Sequence, residues 1–228
     1  MGEIVEFPSN GSTAHGYLAT PPGGTGPGLV VIQEWWGLVD HIKDVTDRLA
    51  GEGFVALVPD LYHGKSVGNT EPDEAGKLLM SLNLEQAAKD MSGAVDYVAA
   101  HSRGEGIGVI GFCMGGGLAL LLGTQRPDVV KAVVPFYGLI SSPAMEPDWS
   151  QMTASVQGHY AENDDMAGPP AVEKLERELG GRGVPVELFM YPGTTHAFFN
   201  DTRPEVYDPD ASALAWQRAI EFLRSTLD

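Results

Sequence analysis

The chain has 228 residues, 43% hydrophobic and 20% charged, enough to build one α/β domain around a single core. Its net charge of −17, from 31 acids against 14 bases, repels phosphate backbones and anionic membranes, so nucleic acid and membrane are excluded as expected partners. One cysteine excludes an intramolecular disulfide, no apolar run nears about 18 residues, and the N-terminus lacks signal-peptide features; a cytoplasmic monomer is expected.

Residues 3–7 and 13–19 are expected as an opening hairpin turning at Ser9-Asn10-Gly11. A Pro/Gly loop, 21–28, leads into the apolar run 29–32, which reads as a strand buried on both faces. It ends in Gln33-Glu34-Trp35-Trp36-Gly37. A helix over 40–50 follows, with Ile42, Val45 and Leu49 on one face and Gly51 and Gly53 ending it. Residues 54–58 form the next buried strand, 63–71 a polar loop, and helical periodicity covers 73–81 and 84–100.

The next stretch organises the rest. Residues 107–110 read as a strand and 114–124 as an apolar helix, with Gly111-Phe112-Cys113-Met114-Gly115 between them. Strand, tight turn and helix make a nucleophile elbow, here with cysteine where serine usually stands. Gly111 and Gly115 let strand and helix approach closely, and the helix N-terminus favours a thiolate and a developing oxyanion at Cys113.

Further strands are expected at 132–135, 153–158 and 184–191, and helices at 170–179 and 210–223, with 139–152 irregular. Strands alternating with helices imply a single domain over 1–228 with a mostly parallel sheet, helices on both faces, and ligands beyond the carboxyl ends of the strands. Glu34, Asp60, Cys113, Tyr137, Asp164 and His196 all fall there.

An elbow nucleophile takes its partners in the chain order nucleophile, acid, histidine. His159 and His196 follow the elbow, and His196 sits between the final strand and final helix, where this arrangement delivers its base. The orienting acid comes from Glu162, Asp164 or Asp165; Asp164 is favoured, with Asp165 as the alternative. The N–H groups of Met114 and Trp35 are the expected oxyanion donors. Trp35, Trp36, Tyr62, Tyr137, Phe198 and Phe199 can each serve as pocket lining or as core.

Taken in order, Glu34-Trp35-Trp36-Gly37, Pro59-Asp60-Leu61-Tyr62, the Cys113 elbow, the Asp164 turn and Tyr191-Pro192-Gly193-Thr194-Thr195-His196-Ala197-Phe198 resemble the dienelactone hydrolase family (carboxymethylenebutenolidases). The resemblance runs from about residue 4 to 225. It implies an α/β-hydrolase fold, a Cys113–His196–Asp164 triad, and Glu34 as partner of the resting thiol. It also implies cofactor-free, metal-free hydrolysis of an enol-lactone, typically to maleylacetate in the breakdown of chlorinated aromatics. In the best-known members two arginines hold a substrate carboxylate. Here the first region, 70–77, has Lys77 but no arginine, and the second position, four residues past the histidine, is Asn200. Trp36, Tyr137, Phe198 and Asn200 are the expected substrate contacts, and a neutral lactone or small ester fits the departure. A general carboxylesterase or thioesterase is the main alternative. A non-catalytic binding protein of the same fold ranks below it, and no H-x-x-E-H, H-E-x-x-H or C-x-x-C spacing suggests a metal site.

Overall fold

A computed structural model describes residues 2–140 and 145–228. The opening hairpin pairs β1 (Glu3–Ser9) with β2 (Ser12–Ala19) antiparallel, and its turn needs left-handed backbone at Asn10 and Gly11 (φ 39° and 97°). β2 then lies antiparallel to β4 (Val55–Pro59), which pairs parallel with β3 (Pro27–Ile32). From there β5 (Arg103–Phe112), β6 (Val130–Phe136), β7 (Ser155–Asn163) and β8 (Val186–Thr195) continue in parallel. The result is one eight-stranded sheet in the order β1-β2-β4-β3-β5-β6-β7-β8. This is the expected α/β architecture, a mostly parallel sheet opened by an antiparallel N-terminal hairpin.

Alternation along the strands splits the core into two layers. Leu29 and Val31 of β3 face α1 (Asp40–Gly51) and α6 (Pro209–Leu227), through Ile42, Val45, Leu49, Ala219 and Leu223. Val30 and Ile32 face the opposite layer, built with α3 (Leu84–His101), α4 (Met114–Gln125) and α5 (Pro169–Gly180). Both faces are covered, which is why β3 reads as an unbroken apolar run. Among the described residues two α-helices start on side-chain caps: Asn83 accepts from the Gln86 N–H at 3.1 Å and Asp208 from the Ala211 N–H at 2.9 Å. By contrast, α2 (Pro72–Met80) buries only Ala75.

Several strands outrun their apolar runs. β7 and β8 continue through Glu162, Asn163, Thr194 and Thr195 because they pair with each other, Asn163 opposite Thr195; ladder hydrogen bonds sustain what hydrophobicity does not mark. His159 therefore lies inside β7, where its Nδ1 is 2.8 Å from the Tyr191 hydroxyl. Burial and the nearby Arg218 charge lower its pKa to about 3, so it is neutral. Of the stretch expected to be irregular, 141–144 lie outside the described residues and Trp149–Gln151 form one 3-10 turn. Among the described residues no helix is long and apolar enough to cross a membrane.

Candidate active site

The parallel strands all present their carboxyl ends to one edge of the sheet, and the segments that follow β3, β5, β6, β7 and β8 meet there. Between β5 and α4, Cys113 adopts φ 54° and ψ −120°, a conformation that costs a non-glycine residue about 1–3 kcal/mol. Neighbouring backbone holds it in place. The Cys113 N–H donates to the Phe136 carbonyl at 3.0 Å, and a Cβ on Gly138 would sit 2.0 Å from the Cys113 carbonyl oxygen. Only glycine allows the segment after β6 to pass this close.

His196 follows β8 directly, and Ala197 behind it takes φ 66° to turn the chain. The ring bridges two partners: Nε2 is 3.2 Å from Cys113 Sγ, and Nδ1 is 2.7 Å from Asp164 Oδ2. The other oxygen of Asp164 accepts the N–H groups of Met166 and Ala167, at 2.8 and 3.1 Å, so the carboxylate is locked in orientation. Burial works to raise the Asp164 pKa, but the His196 contact and these two N–H bonds prevail and lower it. For His196, burial works against the charged ring. The hydrogen bonds to Asp164 and Cys113 outweigh it and push the pKa up to about 10.

Glu34 is buried at the end of β3, 2% exposed. Its Oε1 accepts from the Tyr137 hydroxyl at 3.3 Å and its Oε2 from Asn200 Nδ2 at 2.7 Å. The resemblance implied a Glu34–thiol pair at rest; here both carboxylate oxygens have other donors and the sulfur faces the imidazole. Burial and the Glu34 charge raise the Tyr137 pKa well above its usual value, which keeps that hydroxyl a donor.

These groups open into a cleft of about 440 Å³. Trp35, Trp36, Met114 and Tyr137 line it, as do Glu34, Cys113 and His196. Phe198 and Asn200 stand behind the wall. Phe198 is fully buried against Tyr137 and Tyr191, and Asn200, 1% exposed, is consumed in holding Glu34. Phe199 stacks on Phe112 in the core, and Tyr62 directs its hydroxyl to Met114 Sδ at 3.6 Å. Sequence reasoning missed Leu79, Met166 and Arg203 as lining. Helical periodicity over 73–81 was the signal for Leu79; Arg203 stands three residues past Asn200, near the position of the family's second arginine, but the sequence did not fix where it points. Among the described residues no group of three or more His, Cys, Asp or Glu side chains is placed to hold a metal ion.

A mostly parallel sheet with an elbow cysteine after β5, and a carboxylate and a histidine converging on it from beyond β7 and β8, defines an α/β-hydrolase. The family model described as "Dienelactone hydrolase family" matches residues 14–227, and the chain belongs to that family. Protein usf of Aquifex pyrophilus is 37% identical over 235 residues, with 100% of both chains covered. A provisionally named carboxymethylenebutenolidase of Aquifex aeolicus (strain VF5) is 35% identical over 240 residues, again with 100% of each covered. Among solved structures, a provisionally named dienelactone hydrolase from Klebsiella pneumoniae subsp. pneumoniae MGH 78578 superposes with a TM-score of 0.87 at 26% identity, covering 98% of each chain.

Proposed function

We propose that this hydrolase opens an enol-lactone or small carboxylic ester through a Cys113–His196–Asp164 triad and a thioester intermediate. The observation that carries the reading is the His196 ring bridging Cys113 at 3.2 Å and Asp164 at 2.7 Å on the wall of the cleft. In the first step the Cys113 thiolate attacks the ester carbonyl, and the tetrahedral oxyanion is met by the Met114 and Trp35 N–H groups. The C–O bond then breaks, and imidazolium His196 protonates the departing enolate or alkoxide. With the sulfur acylated, its negative charge is gone, and the ring loses part of what held its proton. Neutral His196 next takes a proton from water as that water attacks the thioester; the C–S bond breaks, releasing the acid and restoring the ion pair. Asp164 keeps Nδ1 protonated throughout and does not itself take the proton. Glu34 is a further catalytic carboxylate in this scheme, its two oxygens held at rest by Tyr137 and Asn200.

One chain supplies every group in this scheme, so a monomer suffices, with no nucleic acid, membrane or cofactor involved. A free thiol nucleophile also suits the reducing cytoplasm.

The test is covalent trapping. His196→Asn incubated with a p-nitrophenyl ester is expected to accumulate one acyl group on Cys113, because p-nitrophenolate leaves unprotonated while deacylation lacks its base. Intact-mass and peptide mapping report it. Turnover surviving in Cys113→Ala, or acylation elsewhere, would falsify the reading.

The raised His196 pKa sets a second expectation. For an alkyl ester, whose leaving group needs the imidazolium proton, kcat/KM holds to about pH 9 and declines as pH passes about 10. A decline beginning near pH 7 in a pH–rate profile would show that the resting ring is not held charged.

A further inference from the structure

Resting on the ester-hydrolase reading, we propose that the cleft selects an apolar, uncharged acyl group, seated between Leu79 and Met166 at the mouth, in preference to an acid carrying a second carboxylate. Leu79 is 36% exposed and Met166 64%, and both line the cleft. They reach it from unrelated elements, Leu79 from the end of α2 and Met166 from the turn that caps Asp164. Two large apolar side chains left partly open to water, on segments far apart in the chain, gain burial when something apolar enters the cleft they both line. The walls beneath continue the character through Trp35, Trp36, Met114 and Leu139. A volume of about 440 Å³ holds far more than an acetyl group.

The charges argue the same way. Among the described residues the charged groups lining the cleft are Glu34, Asp165, Arg203 and His196. Arg203 is already engaged: its Nε and one terminal nitrogen each lie 2.9 Å from the Glu205 carboxylate, and the guanidinium rests over the Trp36 ring at 5.7 Å. Asp165 stands beside Met166 at the mouth, and Glu34 is held by the neutral donors Tyr137 and Asn200. An entering carboxylate would meet the like charges of Glu34 and Asp165, while both cations are already engaged, Arg203 with Glu205 and His196 between Asp164 and Cys113, within a field set by a net −17. An alkyl acyl chain meets apolar side chains instead.

The experiment compares kcat/KM for p-nitrophenyl acetate, butyrate and hexanoate with that for the mono-p-nitrophenyl ester of adipate, which has the six carbons of hexanoate with the terminal methyl replaced by a carboxylate. Each methylene fully buried is worth about fourfold. With partial burial, hexanoate is expected to exceed acetate at least tenfold and the adipate ester to fall at least tenfold below hexanoate. In Leu79→Asn/Met166→Gln the hexanoate-to-acetate ratio is expected to drop at least threefold; a ratio within one variant is unaffected by how much of that protein folds. A flat or falling chain-length series overturns the proposal. So does a preference for adipate, above all one that disappears in Arg203→Gln. No Cys113-dependent turnover of any of these esters is a different failure, of the hydrolase reading beneath.

Discussion

Asp164→Asn is expected to lower kcat by roughly 10⁴-fold, the scale seen when a triad acid is replaced by its amide. The structure makes the sign unambiguous. Asp164 Oδ1 accepts two backbone N–H groups, from Met166 and Ala167, so in asparagine the amide oxygen must stay on that side. The amide NH₂ then faces His196 Nδ1, which can only accept. The ring is forced to carry its proton on Nε2, pointing at Cys113, and can neither hold the imidazolium nor serve as base toward water. Asp165→Asn, changing an exposed side chain at the mouth, should cost under tenfold. Steady-state kinetics on the two variants, with thermal melts confirming that both fold, decide the matter; the larger loss falling on Asp165 would reassign the acid.

Gly111→Ala is expected to remove about 3 kcal/mol of stability and at least 100-fold of kcat/KM together. A Cβ at Gly111 would lie 2.0 Å from the Gly115 carbonyl oxygen and 2.4 Å from its carbon. These are backbone atoms of the first turn of α4, so no side chain can rotate away; β5 and α4 must separate. Overpacking of this kind costs typically 1–3 kcal/mol and more where backbone has to move. The same displacement carries Cys113 off His196, and about 1 Å of misplacement costs a catalytic site roughly two orders of magnitude. Urea unfolding and initial rates measured on one preparation test it. Wild-type stability with lost activity, or the reverse, would break the proposed coupling between elbow geometry and chemistry.

The elbow was legible because its information is local. An apolar strand, glycines at fixed spacing and an apolar helix lie within about twenty residues, and the steric rule that joins them needs no distant partner. The placement of His196 and of the acidic turn was legible for a related reason: in a parallel sheet, segments following strands must gather at one edge. Where strands ended was less legible. β7 and β8 run on through polar residues because each supplies the other's hydrogen bonds, and pairing of that kind leaves no mark in either segment alone.

Composition and the order of motifs in the chain were sufficient to determine an α/β-hydrolase architecture with a cysteine at its turn, since both follow from patterns within single elements. Tertiary structure alone decided which way the loop side chains point. Asp164 faces the ring while its neighbour Asp165 faces the mouth, because the Met166 and Ala167 N–H groups capture one oxygen. Phe198 turns into the core, Arg203 comes to the cleft, and Glu34 is bound by Asn200 from 166 positions away. A loop residue's direction is set by whichever donor, ring or cavity the fold brings beside it, and those neighbours are not its neighbours along the chain.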